Sequence, residues 1–471
     1  ADCKAAPTNQ TAAECGYSVI YALAPSPAKR GVIWAGTDDG LVWRTEDGGK
    51  HWHDVTPKGL ADWSRIDTIE ADPHDASSAY AAVDRHQVDD FAPYMYVTHD
   101  AGVHWRLAVA GIPRGDYVRV VRTDPERKGL LYAGTEQGVF VSFDDGRHWQ
   151  SLQLNLPTAS VHDLVVHGGD LVAATHGRGI WILDDIEPLR EASAKVAKSA
   201  VHLYRPRPAY LFPLSLYHAE ARPPEEPHAA NPPTGAIIDY RLAQSAKGAV
   251  QLAIYDANGR LVRRYSSAAK PTKMPLANFP DYFKAPPTVL PATAGLNRFV
   301  WDFHYAPPLG VDPYWAGPAV LGRTPRGPLG PLAPPGTYRV VLTVNGAEYS
   351  APLELIADPN LHAAAETLRA NAAFALELED ALNRNAGLLA RAEEAAKAAD
   401  KTGDVARAKR IRAVLAQFDL DSVNGQLYGL MREVSSSAEA PTASAKADSA
   451  ALEHKSERAR AALAALLVPG M

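Results

Sequence analysis

The residues with the clearest chemical capacity are carboxylates set in short glycine-bounded turns. Asp38 and Asp39 lie in Gly36-Thr-Asp-Asp-Gly40, Glu136 in Gly134-Thr-Glu-Gln-Gly138, and Asp89 and Asp90 in a longer excursion from Asp84 to Tyr94. Paired carboxylates can act as acid and base, or as acid and nucleophile, in hydrolysis. Asp84, Arg85, His86, Tyr94, His176 and Arg178 stand in the same or equivalent segments and are candidate ligand-binding groups. Each also has a structural role open to it: Asp can pin a turn, and His176 and Arg178 can form a hydrogen-bond network.

The elements that position these residues are announced by a repeat. Thr45-Glu-Asp47-Gly-Gly49-Lys-His-Trp52, Thr98-His-Asp100-Ala-Gly102-Val-His-Trp105 and Ser142-Phe-Asp144-Asp-Gly146-Arg-His-Trp149 share the form Ser/Thr-x-Asp-x-Gly-x-x-Trp. The Trp residues are 53 and 44 apart, the period of a four-stranded propeller blade. The Asp holds a hairpin turn, the Gly takes a positive φ, and the Trp buries apolar area between sheets. Upstream stand Trp34-Ala-Gly-Thr37 and Tyr132-Ala-Gly-Thr135. A fourth unit, about 161–186, keeps alternating strands without the box and ends one strand short.

These boxes resemble the Asp-box, or BNR, repeats of sialidases, xyloglucanases and sortilin-type receptors. The chain is similar above all to the later blades of large secreted bacterial proteins of the sortilin-like, BNR-repeat glycosyl-hydrolase kind, which usually carry many more blades. The resemblance implies a secreted, periplasmic or cell-surface protein. It also implies a propeller whose inner-strand turns open opposite the Asp boxes, gathering Asp38, Asp39, Asp84, Arg85, His86, Asp89, Asp90, Tyr94, Glu136, His176 and Arg178 on one face. Two functions follow from it: a binding or assembly module for peptide, glycan or protein partners, and a glycoside hydrolase using paired carboxylates on that face. Of the arginine set that sialidases use, only Arg85, Arg178 and one of Arg119 or Arg122 stand in candidate places, and no Tyr–Glu pair is assigned, so sialidase activity is poorly supported.

The expected fold class is mainly β. Four propeller blades over 17–186 follow a segment 1–16, and a helical connector spans 187–200. An Ig-like β-sandwich with long Pro/Gly-rich loops covers 201–357, and an α-helical hairpin or bundle covers 358–471 with a linker at 435–447. Four blades rarely close a ring, so further blades are expected from another polypeptide or from a removed N-terminal half. A four-bladed ring closed by the N-terminal segment is the alternative.

Composition narrows the function classes. The 471 residues carry 48 Lys+Arg against 54 Asp+Glu, a net charge of −6, which argues against a nucleic-acid binder. No apolar run is long enough to span a bilayer. Cys3 and Cys15 are a candidate disulfide. The chain starts without Met or signal peptide, as would a processed protein or the later part of a longer one. No metal or nucleotide motif is present and no cofactor is expected; turn carboxylates are candidate Ca²⁺ ligands. His51, His104 and His148, just before each box Trp, read as exposed spacers rather than metal ligands.

Overall fold

The structure, a computed structural model, describes residues 4, 8–212, 225, 232–317, 322 and 324–467. The chain divides into two compact units, Ala1–Ala194 and Lys195–Met471.

After helix α1 (Asn9–Glu14), the first unit consists of four antiparallel sheets in chain order. The first holds β1 (Ile20–Pro25), β2 (Ile33–Thr37), β3 (Val42–Thr45) and β4 (His53–Asp54). The second holds β5 (Arg65–Ala71), β6 (Ala79–Asp84), β7 (Tyr94–Thr98) and β8 (Arg106–Leu107). The third holds β9 (Val118–Thr123), β10 (Leu131–Thr135), β11 (Val139–Ser142) and β12 (Gln150–Ser151). The fourth has only β13 (Ser160–His167), β14 (Asp170–His176) and β15 (Ile180–Leu183), the shortfall expected from the polar text after Leu183. Helix α2 (Glu187–Arg190) follows, and its Arg190 clamps the buried Asp124 carboxylate at 3.0 Å.

Each sheet packs face to face on the next, and the apolar clusters lie between sheets. Trp34 and Val42 meet Ile66 and Ile69; Met95 and Val97 meet Val118 and Val121; Val139 and Val141 meet Val161 and Leu164. The innermost strands β1, β5, β9 and β13 pack in series, and no comparable packing joins β13 to β1 among the described residues. The series is therefore incompletely closed.

The repeats dictate this local structure. Asp47 accepts the backbone N–H of Lys50 and His51 at 2.9 and 3.0 Å, while Thr45 Oγ donates to it at 2.9 Å and accepts from Gly49 N–H. The same bonds to the Ser/Thr hydroxyl and the His N–H recur around Asp100 and Asp144. The three box histidines are exposed but are more than spacers: each Nδ1 lies 2.6–2.7 Å from its Asp carboxylate. The indoles of Trp105 and Trp149 donate back to the preceding sheet, at Val55 and Ala108. Trp52, in the first sheet of the described residues, donates instead to its own turn at Gly49.

Glycine in the Ala-Gly-Thr segments has a packing cause. A Cβ on Gly134 would lie 2.6 Å from Val120 and 2.8 Å from Val161 of the next sheet, and one on Gly36 would collide with Ile66.

In the second unit, after α3 (Ala194–Lys198), a three-stranded sheet is formed by β16 (Val201–Leu203), β18 (Ala236–Leu242) and β21 (Gly295–Trp301). A five-stranded sheet, in the order β17-β25-β24-β19-β20, is formed by β17 (Ala209–Leu211), β25 (Ala347–Ala357), β24 (Gly336–Val344), β19 (Gln251–Tyr255) and β20 (Leu261–Ser266). They share one core that includes Ile238, Tyr240, Leu252, Trp301, Val340 and Leu353. Between β21 and β24 the Pro/Gly-rich segment carries a small hairpin, β22 (Tyr314–Trp315) with β23 (Arg326–Gly327). It is tied to this unit's own helices, because Tyr314 Oη lies 2.9 Å from Tyr428 Oη.

Four helices follow: α4 (Ala365–Lys401), α5 (Val405–Phe418), α6 (Leu420–Ser436) and α7 (Ala443–Leu467). Asp404 caps α5 through Arg407 N–H, and Asp419 caps α6 through Ser422 N–H. The turn between α6 and α7 is held by Asn371, which donates to the carbonyls of Ser437 and Glu439. The text 205–235 falls largely outside the described residues, as does Cys3, whereas Cys15 is disulfide-bonded. Among the described residues no helix is long and apolar enough to cross a membrane.

Candidate functional site

Each innermost strand of the first unit carries one β-bulge at the same register position. Pairing skips Tyr21 between Ile20 and Ala22, Asp67 between Ile66 and Thr68, Arg119 between Val118 and Val120, and His162 between Val161 and Asp163. A bulge inserts an unpaired residue and re-aims its side chain. All four bulged residues line one cavity of about 400 Å³, together with Arg65, Thr68 and His86.

The walls of this cavity form a polar network. Arg65 lies over the Tyr21 ring at 4.8 Å, sits 3.3 Å from Asp67 and donates to the buried Asp84 carboxylate. Asp84 also holds His86, through its backbone N–H at 2.9 Å and Nδ1 at 2.7 Å. The His86 ring stacks on Tyr117 at 5.0 Å. Arg119 donates to Tyr117 Oη at 2.7 Å and to Glu136 at 2.9 Å, and Glu136 accepts from Ser160 at 2.7 Å. The His162 and His176 rings are 5.3 Å apart.

The environment separates the two carboxyls. Burial pushes Asp67 up to about 6, against the opposing pull of Arg65. Burial also acts to raise Glu136, but hydrogen bonds from Ser160, Tyr117 and Arg119 outweigh it and hold that carboxyl below its ordinary value. Burial and the hydrogen bond to Glu136 push Tyr117 up to about 12. Burial, then the positive charge of Arg119, lowers His162, so its neutral form is favoured. A protonatable acid and two guanidiniums thus share one cavity, and an anchored carboxylate, Glu136, holds one of those guanidiniums from behind.

The turn residues chosen from sequence divide into two groups. Asp84, His86, Glu136 and His176 belong to this network or touch it. Asp39 is buried, accepts from Ser18 and Thr37, and so pins its turn; Asp38 accepts Val19 N–H at 2.8 Å. Arg85, Asp90 and Tyr94 form a network of their own, in which Arg85 and Tyr94 donate to Asp90 at 3.0 and 2.9 Å and Arg85 reaches Ser64. Asp89 is exposed with φ 64°. Arg178 is exposed, and its carbonyl accepts the Trp181 indole N–H. Among the described residues no group of three or more His, Cys, Asp or Glu side chains is arranged to hold a metal ion.

Tyr21, Arg65, Asp67, Tyr117 and His162 lie outside the glycine-bounded turns and none is singled out by the sequence, while Arg119 stands there only as a candidate for an arginine set. A signal for the bulges is present nonetheless. The inner strands read Ile20-x-x-Leu23, Ile66-x-x-Ile69, Val118-x-x-Val121 and Val161-x-x-Leu164, where a regular strand would space the apolar residues of one face by two. Tyr117 is also hydrogen-bonded to Glu136.

No family model matches the chain, and no curated protein matches it. Among solved structures it is similar to a GH74 enzyme of Niastella koreensis, at 17% sequence identity over 35% of this chain and 28% of that one, with a TM-score of 0.30. It is similar to YCF48 bound to D1 peptide, at 17% identity over 38% of this chain and 53% of that one, with a TM-score of 0.29. It is also similar to the GH74 xyloglucanase of Xanthomonas campestris, at 15% identity over 71% of this chain and 45% of that one, with a TM-score of 0.30. The chain thus spans between 28% and 53% of the length of these structures, and the likeness is remote.

Proposed function

We propose that the first unit is a set of Asp-box propeller blades in a secreted or periplasmic protein, and that its inner-strand cavity recognises a hydroxyl-rich glycan. The observation that carries this reading is the coincidence of four bulges, which aim Tyr21, Asp67, Arg119 and His162 from four successive sheets into one cavity. The cavity alternates donors and acceptors at short range and offers the half-exposed Tyr21 ring as an apolar platform. Such a lining matches the mixed polar and apolar faces of a sugar. A peptide or protein segment is the competing ligand class. We further propose that 201–357 is an Ig-like module, that 358–471 is a helical module in the same unit, and that further blades from another polypeptide complete the ring.

A second reading, glycoside hydrolysis, is favoured by one specific observation. Asp67 lines the cavity and Glu136 is hydrogen-bonded to the lining Arg119, and their affinities for protons are driven apart, which is how two carboxyls acquire the roles of acid and base. Asp67 would protonate the leaving glycosidic oxygen, and Glu136 would activate water or attack the sugar.

Both readings are tested with immobilised glycans and peptides and a panel of chromogenic glycosides. Wild type is expected to retain glycans, and Arg119→Met to lose about tenfold in affinity. Retention of peptides alone, or equal retention by Arg119→Met, would refute glycan recognition at this cavity. Hydrolysis that is lost in both Asp67→Asn and Glu136→Gln would establish the second reading.

A further inference from the structure

The inner-strand cavity does not end at the bulges. A second cavity, of about 550 Å³, shares Asp67, Thr68 and His162 with it and continues along the same strands, past Glu70 on β5, Arg122 on β9 and Asp163 on β13. Glu70 follows Asp67 by three residues and Arg122 follows Arg119 by three, so two tiers of polar side chains stand about 10 Å apart at 3.3 Å per residue. Between them Thr68 Oγ1 donates to the carbonyl of Arg119 at 2.9 Å, so the shared wall is one fixed surface.

The second tier crosses the strands as the first does. Arg122 donates through Nη2 to Asp163 at 2.6 Å and through Nε to the carbonyl of Leu164 at 2.8 Å, both on β13. Glu70 accepts the backbone N–H and the hydroxyl of Thr123 at 3.2 and 2.9 Å. Pro25 and Pro27 add an apolar side to the same cavity.

The hydrogen-bonding capacity left over is opposite in the two tiers. In the first it consists of donors: Arg65 is engaged through Nη2 and Nε, and Arg119 through Nε and Nη2, while neither Nη1 donates to any described residue. In the second it consists of acceptors. Arg122 spends its remaining Nη1 on the carbonyl of Val121, at 3.1 Å. Among the described residues Oδ2 of Asp163 accepts no hydrogen bond, and neither does Oε2 of Glu70, which lies 3.5 Å from Arg122 Nη1.

We propose that the two cavities are one continuous site for a linear oligosaccharide lying along the inner strands, one unit accepting from Arg65 and Arg119 and a following unit donating to Glu70 and Asp163. This rests on the glycan reading of the first cavity and narrows its ligand class to a chain of several units. A sugar hydroxyl both donates and accepts, so one chain of like units meets both tiers. A single ring bound at the bulges leaves the second tier unused.

The test is calorimetric titration of the full chain with gluco-, xylo- and chito-oligosaccharides of one to four units, and with Gly-Ser peptides of matching length. Wild type is expected to bind the tetramer of at least one sugar series about 10–100-fold more tightly than its monosaccharide. Asp163→Asn turns the free acceptor into a donor and keeps the oxygen that Arg122 holds. It is expected to retain the wild-type melting temperature and monosaccharide affinity, and to lose about tenfold for the tetramer. Glu70→Gln is expected to give the same pattern, whereas Arg119→Met weakens monosaccharide and tetramer alike. Equal affinity for monosaccharide and tetramer, or tetramer affinity unchanged in both Asp163→Asn and Glu70→Gln, would overturn the extended site while leaving glycan recognition at the bulges standing. Binding of the peptides alone, or of no sugar in any series, would overturn the glycan reading and the extended site with it.

Discussion

The indole of Trp149 donates to the carbonyl of Ala108 at 2.9 Å, joining the third sheet of the first unit to the second. Trp105 makes the same bond one sheet earlier, to Val55 at 2.7 Å. Three boxes of one sequence pattern thus give two stitched indoles and one, Trp52, that donates to its own turn at Gly49.

That contrast sets the first prediction. Trp149→Ala removes a buried indole between sheets and is expected to cost about 3–5 kcal/mol. Trp52→Ala, at a partly exposed edge, is expected to cost under about 1 kcal/mol within one chain. Urea unfolding of the two variants at low protein concentration, monitored by fluorescence, measures the difference. Equal losses would contradict the assignment of Trp149 as an inter-sheet stitch.

The second prediction concerns the close approach of neighbouring sheets. Gly134→Ala puts a methyl group against Val120 and Val161, where backbone and β-branched side chains have little room to yield. A loss of about 1–3 kcal/mol is expected. Gly134→Ala with Val161→Ala should recover part of it, and thermal unfolding of both variants is the check.

The third prediction is a pH dependence. Asp67 has a folded value near 6 against 3.8 for the free side chain, so the folded state binds the extra proton in the interval between them. Stability from this group is therefore greatest below about pH 4 and is lost as pH rises through 6, by up to about 3 kcal/mol for a two-unit shift. In Asp67→Asn that component is absent. The difference in unfolding free energy between variant and wild type, measured from pH 4 to pH 7, should move in favour of the variant as pH rises. A pH-independent difference would contradict the buried position of Asp67.

Much of the first unit was legible in its sequence, because the Asp box spells out its own turn. Asp47, Asp100 and Asp144 each accept the backbone bonds their spacing implies, and the missing outer strand of the fourth sheet followed from the polar text after Leu183. The inner-strand cavity was not legible in the same way. Its four bulged residues are a Tyr, an Asp, an Arg and a His, so no repeat flags them, and a bulge exists only relative to a pairing partner. Asp39 shows the converse problem. Its type and turn suggested chemistry, yet its carboxylate is turned inward to Ser18 and Thr37.

A direct titration compares the two faces at issue. The best-retained glycan is titrated calorimetrically into wild type, Arg119→Met and Asp90→Asn. The inner-strand cavity predicts a loss of about tenfold for Arg119→Met and no change for Asp90→Asn, whose carboxylate serves only the Arg85–Tyr94 loop. Unchanged affinity in Arg119→Met alongside lost affinity in Asp90→Asn would place binding on the Asp84–Tyr94 loop and contradict the account.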